Sequence, residues 1–133
     1  MPRLNWGAVI LSSIAGTAAG LALLAVVSGF TSSVGSIAVL IFAQYLIQFA
    51  TGFLSAHFAV DEPLLHGAAA SLLLFAVATV LTLALDASRP SMWFIAFSAL
   101  VAAILGSAGG SLAESLRLRT THPAGSSEHD GAE

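Results

Sequence analysis

The chain has no cysteine and very little charge. Without a thiol it can form no disulfide, no thiolate metal site and no cysteine nucleophile. Only 8% of its 133 residues are charged, and its four basic residues are all arginines. No basic patch is available to neutralise a run of phosphates, which argues against nucleic acid as a partner. Soluble domains carry about one quarter charged residues, so this composition indicates a membrane protein.

What the chain has instead is apolar length, with 57% hydrophobic residues and a mean hydropathy of +0.93. A helix needs about 20 apolar residues to cross a hydrocarbon core of roughly 30 Å. We predict an all-α integral membrane bundle of four antiparallel transmembrane helices within 1–116, with the lipid bilayer as its surroundings. The predicted spans are 4–29, 35–58, 64–85 and 93–116. Residues 117–133 mix Gly, Pro, Ser and acidic residues without apolar periodicity, and they are predicted to be a disordered cytoplasmic tail.

The second span carries a polar stripe. Gln44, Gln48, Thr51 and Ser55 follow one another at intervals of four, three and four residues, which places them on one face of a helix. Lipid offers no hydrogen-bond partner, so the stripe is expected to turn inward. Two interpretations remain open, because the amides could bond to neighbouring helices or could line a permeation path.

Small residues mark two further helix faces. Gly16 and Gly20 form a GxxxG pair in the first span, and the fourth span has a seam of small residues in heptad register. Small side chains let two helix backbones approach closely, so we predict that both faces pack against a neighbour, within the chain or in a second copy. The seam of the fourth span consists of Ala99, Ala103, Gly106, Gly110 and Ala113.

The connection between the second and third spans is chemically varied. His57, Asp61, Glu62 and His66 lie within it, and imidazole with carboxylate is a possible metal-ligand set. Their spacing matches no metal or catalytic signature, since HExxH is missing from the sequence. We expect a polar loop in which Asp61 caps the third helix and Pro63 occupies its first turn. No metal and no cofactor is expected.

The segment FATGFLSAHFAVDEPLLHGAAASLLLF resembles a family of small bacterial four-helix membrane proteins whose biochemical role is uncharacterised. The resemblance rests on Gly52 near the end of the second span, on His66-Gly67 opening the third, and on the glycine-rich ILGSAGGS of the fourth. It implies a four-helix fold and no activity. The chain departs from the family in its loop, where Asp61 and Glu62 stand in place of the basic residues often found there.

Charge placement predicts the orientation of the bundle. Arg3, Arg117 and Arg119 fall on one side of four spans and Arg89 falls on the other. The positive-inside rule then puts both termini in the cytoplasm, with the protein in the cytoplasmic (inner) membrane.

No ionisable residue lies deep in a span, which counts against proton-coupled transport, and no nucleophile is fixed beside a base. We therefore expect a non-enzymatic protein that acts through helix–helix contacts, either with itself as a homo-oligomer or with another membrane protein. The alternative is a small channel or transporter whose path is lined by the polar face of the second helix.

Overall fold

A computed structural model describes residues 4–28, 34–59, 61–85 and 91–121. The chain in these ranges forms four helices: α1 (Trp6–Ser28), α2 (Val34–Phe58), α3 (Pro63–Leu85) and α4 (Met92–Thr121). Each helix is long and apolar enough to cross a membrane. The prediction of an all-α fold with four helices of spanning length is confirmed.

The helices α2 and α3 form the centre of the bundle. They contact each other, and each also contacts both α1 and α4. Within the described ranges α1 and α4 do not touch, so they lie on opposite sides of the central pair. Each interface therefore includes α2 or α3, and the side chains that matter most for packing should lie on those two helices.

The interior is built from small side chains and the exterior from large ones. Ala8, Ala70 and Ala102 are buried, whereas Phe42 and Leu100 are among many large apolar side chains that are exposed. Water would make such an exterior unfavourable, at about 25 cal/mol for each Å² of apolar surface. This inside-out distribution indicates a multi-pass membrane helical bundle.

The start of α3 differs from the sequence-based expectation. The helix begins at Pro63, so Glu62 and not Asp61 occupies the position before the first turn. The Glu62 backbone has a positive φ of 49°, a conformation in which L-residues are uncommon. Its carbonyl accepts hydrogen bonds from the N–H groups of Leu65 and His66, at 3.1 and 3.2 Å. The predicted cap at Asp61 is thus one residue too early, and the first turn is anchored by a backbone carbonyl.

The end of α4 also differs. The helix continues through Thr121, so residues 117–121 are helical and the predicted tail does not begin at Arg117. Leucine and arginine in this stretch favour helix, and Arg119 in the last turn interacts favourably with the negative end of the helix dipole. The prediction for residues 122–133 falls outside the described residues.

Candidate functional site

One end of the bundle, the glycine-packed end, brings the backbones of α2, α3 and α4 into direct contact. Gly106 of α4 lies at its centre. A Cβ atom added to Gly52 of α2 or to Gly67 of α3 would strike the Gly106 carbonyl oxygen, and one added to Gly106 would strike the Gly67 carbonyl oxygen and the Ser71 hydroxyl. No side chain fits between these helices, so glycine is required at all three positions.

The same packing continues along α4. A Cβ atom on Gly109 would meet the Phe49 carbonyl oxygen and, at 2.7 Å, the Phe53 nitrogen, and one on Gly110 would meet the Pro63 carbonyl oxygen. The small-residue seam predicted for the fourth span is therefore used inside the chain. Gly109, which neighbours this seam on α4, is buried like Gly110.

The first helix joins this end through polar atoms. The Asn5 N–H donates to His66 Nε2 at 2.7 Å, and His66 Nδ1 lies 3.0 Å from the Glu62 carbonyl oxygen. Because Nε2 accepts, the ring is neutral and carries its proton on Nδ1, from which it donates to Glu62. Although histidine is mostly a surface or half-buried residue, His66 is only 1% exposed. It is a buried link between α1 and α3.

Two serines make further contacts between helices. The Ser71 hydroxyl of α3 donates to the Gln48 carbonyl of α2 at 2.8 Å. The Ser13 hydroxyl of α1 lies 2.7 Å from the Val9 carbonyl oxygen in the same helix and 3.0 Å from the Ala70 carbonyl oxygen of α3. Ser13 lies on the same small-residue face of the first span as Gly16 and Gly20, a face predicted to pack, whereas Ser71 was not selected from the sequence. The available signal was a lone hydroxyl within an apolar span.

The polar stripe of α2 faces the interior. Gln48, Thr51 and Ser55 are 4%, 3% and 0% exposed, and Gln44, one turn nearer the start of the helix, is half-buried. The Gln48 Oε1 and Ser55 Oγ atoms are fully enclosed and have no hydrogen-bond partner. Leaving a buried polar atom unpaired costs about 1–3 kcal/mol, so these two atoms require a physical explanation.

The other end of the bundle encloses a cavity of about 640 Å³. All four helices contribute to its wall: the second halves of α1 and α3 and the first halves of α2 and α4. Most of the lining is apolar, and in the part of the chain that the structure describes no lining residue is charged. The polar lining residues are Thr17, Gln44, Tyr45, Gln48, Thr79, Thr82 and Ser98.

The two glycines of the predicted GxxxG pair have different surroundings. A Cβ atom on Gly16 would collide with the Thr51 hydroxyl, whereas one on Gly20 would have nothing within 4 Å. Gly20 lines the cavity. The pair therefore marks the boundary between the glycine-packed end and the cavity, and only Gly16 acts as a packing residue.

Much of the polar lining of the cavity is already engaged. The hydroxyls of Thr17, Thr79 and Thr82 donate to the carbonyls four residues earlier in their own helices, at 2.8, 2.8 and 2.9 Å. Such bonds keep a hydroxyl satisfied in an apolar setting and leave its oxygen as an acceptor. Gln48 stands apart, because it lines the cavity while its Oε1 is buried without a hydrogen-bond partner.

The loop residues considered as metal ligands do not converge. His66 is enclosed and uses both ring nitrogens, while His57 is exposed and stacks on Phe53 with ring centroids 6.2 Å apart. Within the described ranges no three His, Cys, Asp or Glu side chains are close enough together to hold a metal ion.

No family model, curated protein or solved structure matches the chain. The resemblance noted from the sequence therefore stays a prediction. The residues that carry it, Gly52, His66, Gly67 and the α4 glycines, all lie at the glycine-packed end.

Proposed function

We propose that the protein is a small, non-enzymatic membrane transport or channel protein. Its path would begin in the 640 Å³ cavity and continue along the stripe of Gln44, Gln48, Thr51 and Ser55. The observation that carries the proposal is that Gln48 lines the cavity while its amide oxygen is buried without a hydrogen-bond partner. A passing solute or water would supply that partner, and a purely packing role would leave the penalty unexplained.

The proposed arrangement is a bundle of four antiparallel helices in the cytoplasmic membrane, with both termini in the cytoplasm. Pro63, Gly67 and Ser71 of α3 meet α4 in the order Gly110 then Gly106, which supports opposite directions for these two helices. The three arginines near the termini, against one at position 89, favour the cytoplasmic assignment. The cavity would then face the outer side.

The path is closed at one end in this conformation. From position 44 to position 55 the stripe rises about 16 Å, roughly half of a 30 Å hydrocarbon core. Beyond Gln48 it passes Thr51, which lies against Gly16, and then Ser55, which is fully enclosed. Passage would require α1 to move away from α2 at Thr51.

Single cysteines at positions 44, 48, 51 and 55 test this proposal, because the chain has no other thiol. A membrane-impermeant thiol reagent is added from the side of the 29–33 and 86–90 connections. We expect labelling at 44 and 48 and slow labelling at 51 and 55. Cysteine at exposed Ser91 is the positive control, and cysteine at Ala18, on the outer face of α1, is the negative control. Protection of both 44 and 48 would overturn the path.

A role in helix–helix contacts is the second candidate. The small-residue seam of α4 is occupied within the chain, but α1 carries an outward stripe of exposed small residues, Ala15, Ala18 and Ala22, spaced three and four apart. This spacing suits close approach of another helix, in a homo-oligomer or a different membrane protein.

The two candidates differ in their response to Ala18→Leu. A contact role predicts loss of self-association or of a co-purifying membrane protein, measured by sedimentation in detergent, with unchanged thiol labelling at 44 and 48. A path predicts that Ala18→Leu changes neither the sedimentation of the protein nor the thiol labelling, because Ala18 faces away from the cavity.

A further inference from the structure

We infer that the cavity binds an uncharged amphiphile, a neutral lipid of the diacylglycerol class, with its free hydroxyl at Gln48 and its acyl chains in the apolar mouth. The inference rests on the proposed function, because it names the substrate class for the same cavity. It draws on three properties of the site: the charge of the lining, the unpaired amide oxygen, and the distribution of apolar side chains.

The lining excludes a charged ligand. Among the residues that the structure describes around the cavity, none is Asp, Glu, Lys, Arg or His. An ionised headgroup at this depth would be buried without a counter-ion, which is strongly unfavourable in a low-dielectric setting. Phosphate- and ammonium-bearing lipids therefore fit poorly, and a neutral headgroup fits well.

The Gln48 amide selects a hydroxyl. Gln48 lines the cavity, and its Oε1 is enclosed and unpaired, so the side chain calls for a hydrogen-bond donor. Gln44 adds a second amide one helical turn away, on the same face and also at the wall. An amide pair presents both donors and acceptors, and a hydroxyl, which donates and accepts, satisfies either orientation. An ester alone, which only accepts, does not satisfy Oε1.

The upper part of the cavity suits acyl chains. Toward the 29–33 and 86–90 connections, beyond the amides, each helix contributes one exposed apolar residue to the wall. These residues are Leu24, Ile41, Leu83 and Phe94. Their exposed faces make the mouth continuous with the outer apolar surface. Small-ligand pockets usually enclose about 300–1,000 Å³, so a cavity of about 640 Å³ takes a headgroup with the first part of its chains.

The test measures lipid retention by the full chain in nondenaturing mass spectrometry. Three matched probes are compared at equal mole fraction: 1,2-dioleoylglycerol, the same molecule with its hydroxyl acetylated, and dioleoyl phosphatidic acid. We expect dioleoylglycerol to be retained about tenfold more than either of the others, because acetylation removes the donor and phosphate adds charge. Equal retention of all three would overturn the inference.

Two variants connect retention to the cavity. Gly20→Leu places a side chain in open space within the cavity and should lower dioleoylglycerol retention at least tenfold. The control is Ala19→Leu, which adds the same side chain to the exposed outer face of the neighbouring position and should have no effect. Gln48→Leu should abolish the preference for dioleoylglycerol over its acetate. Its backbone carbonyl still accepts from Ser71, so the α2–α3 link is preserved.

The outcome separates this inference from the proposed function. Thiol labelling at 44 and 48 without selective lipid retention would overturn the ligand class and leave the path standing. Selective retention that Gly20→Leu does not change would place the lipid on the outer surface and overturn the inference. Retention in the cavity without thiol labelling would support the ligand and reject a water-accessible path.

Discussion

Asn5 and His66 lie 61 positions apart in the chain and are joined by a hydrogen bond of 2.7 Å from the Asn5 backbone to the imidazole Nε2. The bond fixes the start of α1 against the start of α3. Because the other ring nitrogen donates to the Glu62 carbonyl, one neutral imidazole holds two backbone groups at once.

We predict that His66→Phe destabilises the bundle. An aromatic ring is kept but both hydrogen bonds of the buried imidazole are lost, and each such bond contributes about 0.5–1.5 kcal/mol. Thermal unfolding in detergent measures the effect. His57→Phe is the matched control, because His57 is exposed, and it should change stability by less than about 0.5 kcal/mol. Similar unfolding temperatures for the two variants would show that the His66 link is not structural.

Gly106→Ala should destabilise the bundle, whereas Gly20→Ala should not. One methyl group at 106 meets the Gly67 carbonyl and Ser71, and at 20 it meets nothing within 4 Å. Overpacking of this kind typically costs about 1–3 kcal/mol. The comparison is made by unfolding in one detergent, with helical content checked for each variant. An unperturbed Gly106→Ala variant would contradict the backbone contact between α3 and α4.

Two fully buried serines should respond in opposite directions to replacement by alanine. Ser71 donates to the Gln48 carbonyl, and interhelical bonds of this kind contribute about 0.6 kcal/mol, with a maximum near 2. Ser55 Oγ has no partner, so its removal should leave stability unchanged or raise it by about 1 kcal/mol. Chemical unfolding of both variants in parallel gives the sign. Equal losses would show that Ser55 has a bonding partner in the membrane.

A reporter that is active only outside the cytoplasm should stay silent when fused after Glu133. The expectation follows from the excess of arginine near the termini. The companion fusion, truncated after position 88, should be active because it ends between α3 and α4. A strong signal from the first fusion and none from the second would reverse the orientation and turn the cavity toward the cytoplasm.

The number and approximate extent of the helices follow from the sequence, because apolar length is a one-dimensional property. The inward direction of Gln48, Thr51 and Ser55 also follows, since a helix fixes which residues share a face. The role of Gly20 does not. Gly16 and Gly20 are equivalent in the sequence, and only the placement of the neighbouring helices decides that one packs and the other faces open space.

The site depends on relationships between helices that no single segment encodes. His66 is enclosed because α1 begins beside it, and Ser71 bonds across to a backbone atom of α2. Both pairings depend on the register of neighbouring helices. The residue types and spacing within one span do not determine that register. A prediction from the sequence therefore identifies the polar residue but not its partner.

The backbone contacts hold α4 tightly at the glycine-packed end and leave its other end, near the cavity, without such contacts among the described residues. With Gly106 held against Gly67, the opposite end of α4 at Met92 extends about 21 Å away, by the rise of a helix. A tilt of about 5° about the held end moves Met92 by about 2 Å on that rise, and leaves the held end almost in place. A rotation of α4 about these glycines that is too small to disturb them would change the width of the opposite opening by more than the radius of a water molecule.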